Sequence, residues 1–172
     1  ISNRLVKANQ QARQVLEILG RLEAAIAVLN YKESLPIYAK PSFTSSAGMK
    51  GKGLYHPLLE RPVSNDLDFS KNMMISGDNA SGKSTYLRIA AINAILAQGL
   101  GFACAESLTL QHGHVLSSMD VTDDIGSGDS YFIAESRAIE RMIDSLEEEG
   151  LHYFFIDELF KGTNTVEPIG AG

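Results

Sequence analysis

The apolar positions of this chain change their period along its length. Leu5, Ala8, Ala12, Val15, Leu19, Leu22, Ile26 and Leu29 recur in alternating steps of three and four. That is a heptad seam, and it predicts one long helix over residues 1–30. Gly20 is its weak point. Leu35-Pro36 and Lys40-Pro41 end it, because proline clashes with the preceding turn. Residues 41–53, rich in Ser, Gly and Lys, read as a linker loop. Lys50 and Lys52 in it could meet an anion, but a solvated loop is the simpler reading.

A different pattern follows. His56-Pro57 predicts an extended turn and Ser64-Asn65-Asp66 another. Leu67-Asp68-Phe69 alternates as a short strand, and Met73–Ser76 reads as a short buried strand. From Thr85 to Ala97 the apolar residues return to helical spacing, with Gly99 as the stop. Gly101–Glu106 reads as a buried strand or turn, and Val115–Met119 as a strand. Ser130–Glu149 predicts a helix with Tyr131, Phe132, Ala134, Ala138, Ile139, Met142, Ile143 and Leu146 inward and Gly150 at its end. Leu151–Ile156 is an apolar strand closed by Asp157-Glu158. Strands alternating with helices predict an α/β fold. The expected organisation is a long helix over 1–36, a linker over 37–53 and an α/β domain over 54–172.

The junction between the Met73–Ser76 strand and the next helix carries the chemistry. Gly77-Asp78-Asn79-Ala80-Ser81-Gly82-Lys83-Ser84 fits G-x-x-x-x-G-K-S/T, the phosphate-binding P-loop. Gly77 and Gly82 let the backbone turn sharply and approach an anion. The N–H groups then cradle phosphates in front of the positive end of a helix dipole. Lys83 reaches the β/γ-phosphates, Ser84 ligates Mg²⁺, and Thr85 follows in the first turn. A chance match is the bland reading. The strand before and the helix after supply the context that the motif requires.

Two further stretches change meaning beside that motif. An acidic pair after a strand often just starts a helix. Downstream of a P-loop, Asp157 would help hold Mg²⁺ and Glu158 would orient and deprotonate an attacking water. Asp120–Asp129 is acidic and rich in Gly and Ser and opens onto a helix, where Ser127, Asp129 or Ser130 would cap. It lacks the spacing of a calcium loop. It reads equally as a cap and as an anion site.

Composition then bounds the partners. The chain has 172 residues, 44% hydrophobic and 21% charged, as expected for one globular domain with a core. A net charge of −6 argues against the chain being a main grip on DNA. The single cysteine, Cys104, permits no internal disulfide. It fits a reducing, cytoplasmic compartment and a buried apolar role. No stretch reads as a signal peptide or membrane span. His112 and His114 form H-x-H, but no third ligand accompanies them at useful spacing. The chain starts at Ile1 rather than Met, which reads as an excerpt. The long helix therefore reads as packed on other helices of a longer protein rather than as a free coiled-coil dimer.

The order P-loop, Gly-Ser turn before a helix, then apolar strand with Asp-Glu resembles ABC-type ATPases. Finer details resemble the MutS family of DNA mismatch repair ATPases. They are His56-Pro57-Leu58-Leu59-Glu60, Asn65-Asp66, the run from Gly77 to Arg88, Ala105-Glu106, the run from Asp123 to Phe132, and Asp157 to Thr165. The resemblance runs from about Leu54 to Thr165, and the N-terminal helix resembles that family's lever helix.

The resemblance implies a P-loop ABC-type sheet flanked by helices. It implies an ATP/ADP site with Mg²⁺, shared head to tail with a second copy or a paralogue. Gly77 to Thr85, including Asn79 and Ala80, would bind nucleotide, while Gly128 and Ser130 would act across the dimer on the partner's nucleotide. It also implies coupling of ATP state to movement of a DNA clamp formed elsewhere in a longer protein. Asp78 and Cys104 depart from the family pattern, which has Pro there. Pro62 and Val63 stand where the family places an aromatic residue near adenine.

Three rival readings remain open on sequence alone. One is a nucleotide-gated interaction module with little turnover in this chain. Another is a different ABC-type DNA-repair or chromosome ATPase, which would carry an LSGGQ-like signature where this chain has Gly-Asp-Ser. The third, a small-molecule P-loop kinase, leaves the signature and the Asp-Glu pair unexplained.

Overall fold

The computed structural model describes residues 2–46, 48–78, 81–119 and 131–158. The chain divides into two compact units, Ile1–Tyr38 and Ala39–Gly172. The first is essentially helix α1, Ser2–Ser34. It stops just before Leu35-Pro36, as the proline requires. Leu35 N–H donates to Lys32 O at 3.1 Å, and Ser34 Oγ donates to Tyr31 O at 2.6 Å. The Lys32 ammonium lies 4.8 Å from the centre of the Tyr38 ring.

The second unit is mixed α/β. One sheet has four strands in the order β1 (Ser42–Phe43), β4 (Ser107–Leu110), β2 (Met49–Leu54) and β3 (Asn65–Asp68). β1 runs parallel to β4, while β2 is antiparallel to both β4 and β3. The linker expected over 37–53 is therefore corrected. Much of it lies in strands, because the neighbouring chain completes its backbone hydrogen bonds. β2 keeps Met49 and Leu54 fully inside although Gly and Lys fill the positions between them. Lys50 pairs instead with Asp68 across the strands, N to O 3.0 Å.

The second sheet holds β5 (Gly113–Ser118) and β6 (Leu151–Ile156), parallel and in unbroken register from Gly113↔Leu151 to Ser118↔Ile156. Residues 73–76, expected as a strand, pair with no strand among the described residues. A cavity of about 390 Å³ lies between them and β6, lined by Phe69, Met73, Ile75, Leu87 and the run from Leu151 to Phe155. An apolar run becomes a strand only when a neighbour stands about 4.8 Å away, and among the described residues none pairs with it.

Helix α2 (Lys83–Leu100) packs into the core through Ile89, Ala90, Ala91, Asn93, Ala94 and Ala97. Its end is also a correction. Gly99 stays helical, and Gly101 at φ 70° makes the left-handed stop. Phe102, Ala103, Cys104 and Ala105 beyond it are fully buried. Burial pushes the Cys104 thiol up, as befits an inert apolar position. Helix α3 (Tyr131–Ser145) ends earlier than expected. Ala138 and Met142 are inside, but so is Glu135, while Ile143 and Leu146 are exposed. The Tyr153 hydroxyl ties the two sheets. It lies 2.8 Å from both Gly48 O and Gln111 O, so one proton is shared between two carbonyls.

Candidate nucleotide site

The candidate site begins where α2 begins. Gly82 occupies the N-cap at φ 85°, ψ 16°, a left-handed conformation in which a Cβ would be strained. No side chain among the described residues caps this end. Tyr86 N–H donates to Gly82 O at 2.9 Å and starts the helical ladder, and Ser81 N–H closes a turn on Asp78 O at 3.0 Å. Lys83 curls back over the loop. Its ammonium donates to Asp78 O at 2.8 Å and to Gly77 O. Ser84 and Thr85 are half-buried in the first turn. Asn79 and Ala80 lie outside the described residues.

The floor beneath this turn is tied to the rest of the unit by polar bonds, exposed at Asp66 and buried at Asn93. The Tyr86 hydroxyl donates to Asp66 O at 3.0 Å, and Asp66 Oδ1 accepts from Gly53 N–H at 2.9 Å. Deeper in α2, Asn93 is fully buried. Its Nδ2 donates to Tyr55 O at 3.2 Å and Ile89 O at 2.9 Å, and its Oδ1 accepts from Cys104 N–H at 2.7 Å. One amide thus fixes the residue before His56 against α2. Sequence reasoning missed Asn93, since an Asn in a helical pattern looks like a solvent-facing position. His56 is held next to it, with Leu58 N–H donating to its Nδ1 at 3.3 Å. Burial, and then the nearby Arg88 charge, lower the His56 pKa. Between the residues after His56 and the start of α2 lies a cleft of about 760 Å³. Arg61 and Leu59, which the sequence reading did not assign to any site, help to wall it.

Asp157 and Glu158 follow β6 directly, as expected. Asp157 N–H donates to Ser118 O at 3.0 Å, so the strand pairing carries on to the half-buried Asp157. Glu158 is exposed and stands at φ 48°, in left-handed backbone that a non-glycine residue adopts only at a cost. Gly128 and Ser130 lie outside the described residues, as does the run after Glu158. Among the described residues no group of three or more His, Cys, Asp or Glu could hold a metal ion. His112 stacks on Phe43 with ring centres 4.0 Å apart. His114 stacks on His152 at 4.8 Å and faces Glu148 at 3.4 Å. No helix among the described residues is long and apolar enough to cross a membrane.

Comparison with known proteins agrees with the motif order. The MutS domain V description matches residues 73–171. The DNA mismatch repair protein MutS of Pseudothermotoga lettingae is 32% identical over 164 residues, which covers 91% of this chain and 20% of that protein. MutS of Symbiobacterium thermophilum is 32% identical over 178 residues, 97% of this chain and 20% of that protein. MutS protein homolog 4 of Mus musculus is 34% identical over 146 residues, 80% of this chain and 15% of that protein. The chain thus spans about a fifth or less of the length of these relatives. With more than half of its residues matched to domain V, this chain belongs to the MutS family.

Proposed function

We propose that the chain is an ATP-binding and ATP-hydrolysing ABC-type domain of a MutS-like mismatch repair protein, entered through α1 as a lever helix. The observation that carries this reading is Lys83 folded onto the carbonyls of Gly77 and Asp78 at an uncapped helix start. A lysine ammonium at the uncapped N-terminus of an 18-residue helix is an anion cradle. An arriving phosphate would take Lys83 from the two carbonyls and accept from the first-turn N–H groups.

The donors present also fit a hard cation. Mg²⁺ uses one or two protein oxygens and takes the rest from phosphate and water. Ser84 Oγ and the Asp157 carboxylate would hold it. When bound, Mg²⁺ would neutralise charge on the β- and γ-phosphates. Glu158, exposed at the end of β6, would accept the proton of the attacking water. Asn79 would line the phosphate pocket, and Gly128 and Ser130 would complete the site of a second copy or paralogue. ATP state would then be passed to DNA-gripping parts of the longer protein, in the cytoplasm.

Lys83→Ala tests the reading. Nucleotide affinity should fall at least about tenfold, since charge-assisted bonds to phosphate contribute about 1.5–3 kcal/mol. Unchanged binding by calorimetry would remove the phosphate assignment.

A further inference from the structure

We infer that Phe69 is a positioning residue of the candidate Mg²⁺ site: its ring holds the first turn of α2 and the end of β6 together, so that Ser84 and Asp157 meet the same cation. This rests on the reading of Gly77–Ser84 as a phosphate site and deepens it toward the metal.

Three aromatic rings run from one element to the other. Tyr86 stands in the first turn of α2, Phe69 directly after β3, and Phe155 in β6. The Phe69 ring lies 6.1 Å from Tyr86, edge-on at 77°, and 6.1 Å from Phe155, tilted at 47°. Both separations fall in the range of attractive aromatic pairs. The middle ring has little freedom, because its backbone is bonded on both sides. Phe69 N–H donates to Met49 O at 2.7 Å, and Met49 N–H donates to Phe69 O at 3.3 Å. At one end Tyr86 is fixed by the bond of its hydroxyl to Asp66 O. At the other end Phe155 is buried in the core.

The run ends beside the two metal carriers. Phe155 lies two residues before Asp157, and alternation puts both on one face of the strand. On α2, Leu87 comes three residues after Ser84 and so shares its face. Leu87, Phe69 and Phe155 line one cavity, so that face of α2 is turned toward β6. Residues 73–76 pair with no strand among the described residues, so strand pairing does not brace the loop against β6 there. Packing at Phe69 does. Mg²⁺ demands near-ideal octahedral geometry, so a small shift between its two carriers is enough to weaken it. A phosphate cradled by the N–H groups of a single loop does not depend on that spacing.

The test is calorimetric titration of ATP into the 172-residue chain and three variants, once in Mg²⁺ and once in EDTA. Phe69→Leu removes the ring, and Phe155→Leu removes the same contact from the β6 side. Leu110→Val loosens the core in β4, away from the three rings. The parent should bind ATP more tightly with Mg²⁺ than without. Phe69→Leu and Phe155→Leu should each cut that gain at least about threefold and leave affinity in EDTA within about twofold. Leu110→Val should keep the gain. Should one of the two leucine variants fail to fold, the other decides. A gain left unchanged in either folded leucine variant overturns the inference. So does an equal loss in both buffers, an equal drop in Leu110→Val, or a parent chain that gains nothing from Mg²⁺. In all of these cases ATP still binds the parent chain in EDTA, so the phosphate reading survives. If ATP binds the parent chain in neither buffer, both readings fall together.

Discussion

Asn93→Ala is the most exacting test of how the site is held. The substitution removes a side chain that is 0% exposed and makes three hydrogen bonds. Ile89 O keeps the helical N–H of residue 93, so it is not stranded. Cys104 N–H loses its 2.7 Å acceptor, and Tyr55 O loses its 3.2 Å donor. Both residues are buried, at 0% and 6% exposed. The stranded Cys104 N–H costs about 1–3 kcal/mol, so the expected loss is about 2 kcal/mol. That is a substantial part of the 5–15 kcal/mol typical of a domain.

Urea unfolding should be followed by near-ultraviolet signals of tyrosine, because the chain contains no tryptophan and α1 would dominate a far-ultraviolet signal. The midpoint should fall with the slope unchanged. Asn93→Asp separates the bonds. It keeps an acceptor for Cys104 N–H but brings a buried carboxylate, so it should be no more stable than the alanine variant. A loss under about 1 kcal/mol for Asn93→Ala would show that water or a neighbour replaces the amide, and the clamp argument would fail.

The strain at Glu158 gives a second expectation. Glu158→Gly should stabilise the fold by about 1 kcal/mol in thermal or urea unfolding while abolishing ATP turnover, whereas Glu158→Gln should lose turnover with no gain in stability. Equal stability of the two variants would contradict the left-handed backbone. Acid should weaken the unit through two groups. His56 has its pKa lowered on folding, so the unfolded chain binds its proton first. Its contribution is whole above pH 6.5 and is lost as pH falls below that value, and His56→Gln should flatten that part of a Tm–pH curve. Asp68 is held at about 2 by Ser70 and Lys50, so its contribution is present above 3.8 and is lost as pH falls toward 2.

Parts of this molecule were legible because their cause is local. β6 matches the apolar run Leu151–Ile156 residue for residue. The end of α1 follows from Leu35-Pro36, and the start of α2 follows from the Gly82-Lys83 turn. What was not legible depends on residues far away in sequence. β2 is a strand because β3 and β4 flank it, although Met-Lys-Gly-Lys-Gly-Leu has weak strand propensity of its own. Residues 73–76 show the reverse, an apolar run that finds no partner strand among the described residues. Asn93 and Glu135 are polar residues inside helices, and only the packing shows that they face inward. In the candidate site, the Lys83 turn and the Asp-Glu pair could be read from spacing alone. The walls at Leu59 and Arg61 could not, since nothing local marks a loop residue as facing a cleft.

The cavity beside β6 has a consequence for how solvent sees that strand. Among the described residues β6 has a strand neighbour on one side only. Asp157 N–H points to β5, so by alternation the N–H groups of Tyr153 and Phe155 do too, while those of His152, Phe154 and Ile156 point to the cavity side. Hydrogen exchange along β6 is therefore expected to alternate, slow at one residue and fast at the next. One face of the strand that leads to Asp157-Glu158 belongs kinetically to the core and the other to the solvent.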